Sequence, residues 1–599
     1  MRELNQLFQT GRSTLLLPFI MLLIVAILPY SNIFPNAFAF DDFDFFIQWE
    51  GVKSVSNISS FFSGDLPTYH QHAYRPVRSI MQSVVYALSN GEPFGFHVFS
   101  LFTQVAGVIL IFLIARKLAE PLTAFVTAII FAVLPVHTDS ITFMTASFDT
   151  AGALMGLGSF YLYILYHDSS KWWLYILSLV LALAAFFSYE MTLVLPLFLL
   201  MYDYFVKEQS AREIVSRWKT CLPYFIAALF YITVRASIVG TTFTGVLAEP
   251  APFFDRMLTM LKAFVIYIYL TVVGAPLSVI HNVPVESSPF SVKVFLSLVI
   301  LLGIAAAVVY LFKKGQKLPA FAIVWFFVAL LPVSNVIPLS TFLSEHYLYA
   351  ATFGWALLVG LLFEKYLDHT RSKYGAVSAW VLLCVLIGAY GYVSFDRNFD
   401  WRNGETIFNA ALALDPNYAG GYNAVAFEYR LKKDYEKAEE YARKALEVNP
   451  NYYVSHALLG EIKMEQKLCE EALPYFAKAL EINSGYVSGY VNRGACFYEL
   501  KRFPEAESDF LKALQIFPGY TLAHKNLGVM YAVNGKFVEA ISHLEQVVKE
   551  SEDAGAEHIL GVSLLNLGRV PEARERLEKV LRLSPGHTDT IKILEQISQ

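Results

Sequence analysis

Eleven apolar runs occupy the first two-thirds of the chain, at roughly 14–30, 94–115, 120–136, 141–166, 172–187, 190–204, 220–238, 292–312, 319–338, 346–365 and 375–395. Each is near the about 20 residues that a helix needs to cross a bilayer. A segment built this way cannot close around one water-facing core and must fold as a bundle in lipid. Charge divides the chain at the same place: residues 401–599 hold 51 of the 97 charged residues, twice the density of the first 400. We therefore expect a transmembrane domain over 1–400 and a soluble one over 401–599. The net charge of −5 belongs to the soluble part, which has 28 acids against 23 bases. This balance excludes a basic nucleic-acid binder, intrinsic disorder and a secreted disulfide scaffold. Cys221, Cys384, Cys469 and Cys496 show no metal-ligand spacing.

Lys and Arg give the orientation. With the N-terminus inside, the inner connections collect Arg2, Arg12, Arg116, Lys117, Lys171, Lys207, Arg212, Arg217, Lys219, Lys313, Lys314, Lys317, Lys365, Arg371 and Lys373. This orientation requires the apolar stretch 257–275 to be an interfacial or re-entrant helix. About 11 spans then leave the soluble domain outside, on the periplasmic or lumenal side of a bacterial inner membrane or an endoplasmic reticulum membrane. The first apolar run is longer than the core of a cleaved signal peptide, so we read it as a span.

The soluble part is a repeat array. Ala438, Ala472, Ala506, Ala540 and Ala573 recur at 34, 34, 34 and 33 residues, with Ala426, Gly460, Gly494, Gly528 and Gly561 twelve positions before them. Pro450, Pro518 and Pro585 stand twelve after three of them. This pattern resembles the tetratricopeptide repeat, two helices per unit stacked into a solenoid with a groove suited to extended polypeptide. Five units fit 419–587, preceded by a half unit at 404–416. Glu552 replaces proline in the fourth unit, whose turn we expect to be looser.

Polar groups that could carry chemistry gather at the outer ends of the runs. Asp41 and Asp42 follow the first span among aromatics, where a carboxylate's basicity can be raised. Arg75 lies within Tyr74-Arg75-Pro76, a candidate anion ligand on a surface poor in positive charge. His97 opens the second run, and His137 and Asp139 close the third. Asp149 lies a turn or two into the fourth, Glu190 sits in a helical break, and Arg235 is near the outer end of its helix. Glu345, His346 and Tyr349 open the tenth. An ionisable group inside a membrane helix is functional by default, at a helix end a satisfied polar group is as common, and the gathering of so many on one side raises the joint case.

Asp41-Asp42, Tyr74-Arg75-Pro76, Gly95-Phe96-His97, Leu134-Pro135-Val136-His137, Leu331-Pro332-Val333-Ser334-Asn335 and Glu345-His346-Tyr347-Leu348-Tyr349, followed by the repeats, resemble the transmembrane-and-tetratricopeptide-repeat glycosyltransferases. These are relatives of protein O-mannosyltransferases in the GT-C fold class. The family usually has arginine where this chain has His346, which makes a phosphate contact there pH-dependent. The resemblance implies an all-α architecture, a multi-pass bundle followed by the repeat solenoid. It also implies an inverting transfer of a sugar, a mannose-like hexose, from a polyprenyl-phosphate donor to a hydroxyl of an exported protein held by the repeat groove, or to a glycolipid headgroup.

In that reading Asp41, with Asp42 beside it, takes the acceptor proton. Arg75, His97, His137, Asp139, Asp149, Glu190, Arg235, Glu345, His346 and Tyr349 surround the donor and its phosphate, with membrane lipids around the tail. No cofactor is required. A Mg²⁺ or Mn²⁺ held by Asp41, Asp42 and Glu190 is compatible with the acidic pair but not demanded by a monophosphate donor. Two other classes fit parts of the pattern: a lipid transporter, which would keep its polar groups near the midplane of repeated halves, and a membrane-anchored scaffold, which would need no outer carboxylates.

Overall fold

A computed structural model describes residues 16–63, 74–210, 212–213, 218–239, 251–339, 341–370 and 372–597. Arg2, Arg12, Arg217 and Arg371, used above for orientation, lie outside them. Among the described residues all regular structure is helical, and the chain forms two compact units, Met1–Leu414 and Asp415–Gln599.

Among the described residues of the first unit, seven helices are long and apolar enough to cross a membrane. An eighth is added if Pro121–Val133 and Pro135–Ile141, bent by 56° at Pro135, are taken as one span. Three shorter apolar helices, Leu17–Tyr30, Trp172–Phe186 and Lys317–Val333, coincide with runs read as spans from sequence. The run at 190–204 is different. It breaks into a 3-10 turn Glu190–Val194, a helix Leu195–Met201 and a π turn Tyr202–Val206, so hydropathy overstates its continuity.

Helix Phe253–Val273, expected to lie outside the count, is long and apolar enough to be within it. Its two ends meet different elements. In its first turn Arg256 donates to the carbonyls of Asn335 and Val336. Its last turn meets Tyr390, whose hydroxyl donates to the carbonyl of Val272, and a side chain on the following Gly274 would strike Pro135.

Helix starts follow local chemistry. Pro76, Pro93 and Pro121 occupy first helical positions, where the missing N–H costs nothing. Every residue of Pro121–Val133 is buried, so this helix is the axis of the bundle. Helix Leu348–His369 reaches it because Gly360 lacks a side chain: a Cβ there would stand 2.7 Å from the carbonyl oxygen of Thr123. Gly354 permits the same approach to the backbone of Ala322 on the next helix.

The second unit has five helix pairs, from Ala419–Leu431 with Tyr435–Val448 to Ala554–Asn566 with Val570–Leu583, and ends in Thr588–Gln596. The repeating alanines are fully buried. The repeating glycines make room for the large residue sixteen positions on. A Cβ at Gly460, Gly494, Gly528 or Gly561 would come within 2.6–2.8 Å of Phe476, Phe510, Leu544 or Leu577. Lys433, Lys467, Lys501, Gly535 and Gly568 hold the left-handed turn residue between paired helices. The fourth unit's turn is closed rather than loose: Asp553 accepts from the backbone N–H of Ala556 at 2.9 Å and pairs with Lys525 at 2.6 Å. Helix Gly404–Leu414, expected to open the array, belongs to the first unit, where Phe408 meets Phe40.

Candidate active site

The first loop is anchored by aromatics. Phe38, Phe46, Phe96 and Phe148 form one buried cluster that holds the loop over helices Pro93–Leu118 and Met144–Ser169. Between Phe38 and Phe46 the chain must reverse, and Phe40 does so with φ +56°, a left-handed conformation that a bulky residue keeps only when its surroundings enforce it. Rings of Phe143 and Phe408, each 5.7 Å away, provide the enforcement. The acidic pair follows directly.

The two carboxylates have different surroundings. Asp42 is 1 % exposed and fully engaged. Its Oδ1 accepts from the backbone N–H of Thr145 at 2.8 Å and from the Thr145 hydroxyl at 2.6 Å, while Oδ2 accepts from the N–H of Ala39 at 3.1 Å. Thr145 is in the first turn of Met144–Ser169, so Asp42 supplies the cap that this helix's own N-terminus lacks. Asp41 is half-buried. Burial, and then the charge of Asp44, push its carboxyl up to about 7; Arg78 and His346 are close enough to oppose the rise. A carboxylate titrating there suits general-base work near neutrality.

Replacing Asp42 with alanine should therefore cost about 1–3 kcal/mol of stability, the scale of leaving buried donors unpaired. The check is the melting temperature in detergent. Asp42→Asn, which keeps an acceptor, should lose less.

Beyond Asp41 lies a charge cluster drawn from four elements. Arg75 Nε is 2.6 Å from Glu190 Oε2, and Arg75 Nη1 is 3.1 Å from Asp149 Oδ1. Arg78 Nη1 reaches the same Asp149 oxygen at 3.2 Å. Tyr231 donates to Glu190 Oε1 at 3.2 Å, and Arg75 lies over the Tyr189 ring. Burial alone would lower the Arg75 pKa, but Glu190 and Asp149 outweigh it and raise it, so this guanidinium stays charged. Arg78, more deeply placed, is lowered by burial. Arg75 is thus pre-paired, and an arriving anion would compete with Glu190 and Asp149 for it.

A second couple closes the far wall: Asp139 Oδ2 accepts from the backbone N–H of His346 and faces His346 Nδ1, both at 3.0 Å. Asp149, His346 and Tyr347 line the polar end of a cleft that continues between apolar side chains, Leu157, Leu195, Phe198 and Ala329 among them.

The remaining sequence-predicted residues sit in packing. His97 Nε2 faces the carbonyl of Asn36 at 3.1 Å, and His137 Nε2 faces the Thr352 hydroxyl at 2.8 Å; both side chains are fully buried. Glu345 accepts from the N–H of Ser278 and pairs with His281 at 2.7 Å, holding the 275–281 segment. Tyr349 donates to Gln104 and packs on Phe131 and His137 while also lining the cleft. Arg235 is 3 % exposed on Trp218–Val239, close to Tyr231. Sequence reading missed Arg78, Tyr189, Tyr231 and Tyr347. Arg78 was the accessible one, three residues after Arg75 across a helix start at Pro76, the spacing that shares a face. Asp41, Asp42 and Glu190 do not assemble: among the described residues no three His, Cys, Asp or Glu side chains gather as a metal site.

An acidic loop, a cationic cluster and a cleft with an apolar lining thus lie in the helical bundle, and the repeats follow it in the chain. Residues 71–237 match the family described as dolichyl-phosphate-mannose-protein mannosyltransferase, and 419–452 and 487–520 match the tetratricopeptide repeat. The chain therefore joins a segment similar to that mannosyltransferase family to segments similar to the tetratricopeptide repeat.

It is similar to Protein O-mannosyl-transferase TMTC3 of Mus musculus, 20% identical over 454 residues, covering 69% of this chain and 49% of the relative. Protein O-mannosyl-transferase F38B6.6 of Caenorhabditis elegans is 23% identical over 454 residues, covering 72% and 63%. Tmtc1 of Drosophila melanogaster, another protein O-mannosyl-transferase, is 36% identical over 95 residues, which are 15% of this chain and 11% of the relative. The chain spans about half the length of the mouse and human relatives it matches. Among solved structures, YrrB, a TPR protein with an unusual peptide-binding site, aligns at 22% identity over 31% of this chain and 97% of its own, with a TM-score of 0.28.

Proposed function

We propose that the chain moves a hexose, mannose by the names of its relatives, from a polyprenyl phosphate to a Ser or Thr hydroxyl of an exported protein, inverting the anomeric carbon. The observation that carries this reading is the cleft, polar at Asp149 and His346, where Arg75 and Arg78 pair with Asp149, and apolar along the rest. A lipid-linked sugar phosphate has the same division. The phosphate takes the end where Arg75, Arg78 and His346 stand, and the tail leaves it for the surrounding lipid, because the space inside the cleft, about 30 Å³, holds no more than a water molecule. Asp41 accepts the acceptor's proton as its oxygen bonds the anomeric carbon from the face opposite the phosphate. The sugar–phosphate C–O bond breaks, and its electron pair leaves with the lipid phosphate, where the cations neutralise it. No cofactor enters this sequence.

In this proposal the catalytic domain, expected over 1–400, extends through helix Gly404–Leu414, and 415–599 is the acceptor-holding one. The outer side is assigned by the Lys and Arg distribution, with Phe253–Val273 lying across that end.

The test is reconstitution: purified chain, mannosyl polyprenyl phosphate and an unfolded Ser/Thr-rich protein, read by mass spectrometry of the acceptor. Removing 415–599 should leave transfer to a short peptide at high concentration, since the bundle is compact by itself. Transfer to the full acceptor should fall at least tenfold, because the groove's contribution is local acceptor concentration. Equal rates on the protein acceptor with and without the repeats would exclude acceptor presentation, and absence of transfer from every polyprenyl-phosphate hexose would exclude the activity.

A further inference from the structure

The chain has four cysteines, all free, and the fold brings two of them together. Cys469 is the first residue of helix Cys469–Ile482, which closes the second repeat. Cys496 lies in the last turn of Val487–Glu499, which opens the third. Only residues 483–486 join these helices, so they run antiparallel and the start of one faces the end of the other. The two thiols share one buried cluster with Ala472 and Phe476, walled by Met464, Leu473 and Leu500, and lie within hydrogen-bonding reach of each other. Cys496 is fully buried, and Cys469 is 7% exposed.

The repeat register sets this junction apart. Where Cys469 stands, the other four units carry Tyr435, Phe503, Phe537 and Val570; where Cys496 stands, they carry Glu428, Ile462, Met530 and Ser563. The corresponding pairs at the other three junctions are therefore Tyr435 with Ile462, Phe503 with Met530 and Phe537 with Ser563. Each of those junctions has an aromatic ring where this one has a small thiol. A small apolar filler at either position needs no sulfur, whereas sulfur at both facing positions is the requirement of a disulfide.

We infer that Cys469 and Cys496 form a redox-controlled disulfide that staples the second repeat to the third and fixes the groove at that junction. The step is thiol–disulfide exchange with an external disulfide, carried by a thiol oxidoreductase or a small molecule. Cys469, the sulfur nearer to solvent, gives up its proton and bonds one sulfur of that disulfide, whose other half leaves as a thiol. Cys496 then gives up its proton and bonds Cys469, and the second half leaves as a thiol. Two protein thiols become one disulfide while one external disulfide becomes two thiols, so protons and electrons balance. Burial, and then Cys469, push the Cys496 thiol up, which suits the second, resolving role reached from within the cluster.

In the topology proposed above, the array lies outside the cytosol, where disulfides persist. The staple rests on that placement and is independent of the sugar transferred. Stacked repeats contact mainly their neighbours, so the bond acts on one junction, removing the opened states in which these two helices part.

The experiment uses the full chain in detergent, equilibrated with either oxidised glutathione or dithiothreitol, blocked with N-ethylmaleimide and digested with trypsin without reduction. After oxidised glutathione, mass spectrometry should find peptide 468–478 joined to peptide 494–501, with Cys221 and Cys384 in neither. Hydrogen exchange on the same two preparations should show protection of 469–499 rising roughly tenfold or more on oxidation, the scale of a disulfide's effect, with 521–596 unchanged. Cys469→Phe, the residue of the same register in two other units, keeps the junction filled and should remove both the link and the response to glutathione. Two alkylated thiols after oxidation, or glutathione held on Cys469 without the cross-link, would overturn the inference. Links to Cys221 or Cys384, or equal protection in the two preparations, would overturn it equally.

Discussion

Asp41→Asn should lower sugar transfer by roughly 10²–10⁴-fold, the range spanned by general-base catalysis, while donor binding changes little. The exchange preserves shape and removes only the capacity to take a proton. The pH dependence follows from the same group. The base must be ionised, and burial with the Asp44 charge places its titration at about 7. Transfer should therefore be lost as pH falls through that value and level off above it. Asp44→Asn removes the second cause of the rise and should move the acid limb to lower pH. Single-turnover rates on preloaded donor, measured from pH 5.5 to 8.5, separate this from a binding effect. If Asp41→Asn retains most of its activity while Asp42→Asn loses it, the base is the neighbouring residue and the capping geometry at Thr145 is not that of the working enzyme.

Arg75→Met should damage both folding and turnover. Asp149 would keep Arg78, but Glu190 would keep only the Tyr231 hydroxyl among the contacts seen here. Removing one partner of a fully buried pair costs about 3–5 kcal/mol. With the Arg75 and Glu190 side chains 24% and 23% exposed, solvent reduces that figure. The double variant Arg75→Met/Glu190→Gln should regain most of the lost melting temperature, because no uncompensated carboxylate remains. Transfer should not return if Arg75 has the role proposed for it: the cation that meets the leaving phosphate is then still absent, a loss on the scale of 10²–10³-fold in kcat for one electrostatic contact. Recovery of transfer in the double variant would show that Arg75 serves only to neutralise Glu190.

The repeat array and the charge contrast were legible along the chain because both are periodic or compositional. An alanine every 34 residues and a glycine twelve before it report one recurring contact, helix against helix within a unit, and the structure shows that contact in the crowding of Gly460 against Phe476 and Gly561 against Leu577. The span count was less legible. Hydropathy sees the apolar run at 190–204 but not its break into three short turns, and it cannot see which neighbours hold the ends of Phe253–Val273. At the site, Asp41, Arg75, Asp149, Glu190 and His346 could be singled out because ionisable groups stand out in apolar sequence. Tyr189 and Tyr231 could not, because a tyrosine at a helix end in this aromatic-rich chain carries no mark of its partner.

By itself, the sequence determined the two-part architecture, the helical class, the repeat period and the end of the bundle where polar groups collect. These follow from local free energies, the cost of charge in lipid and the period of a helix, that act on each segment independently. Tertiary structure alone decided how neighbouring acids divide their work. Asp42 is spent on a helix start 103 residues away, whereas Asp41, one residue earlier, faces a charge cluster assembled from four separate elements. The pair is chemically identical in sequence. What separates the two residues is the backbone reversal at Phe40 and the N–H of Thr145, and both are set by contacts between distant parts of the chain.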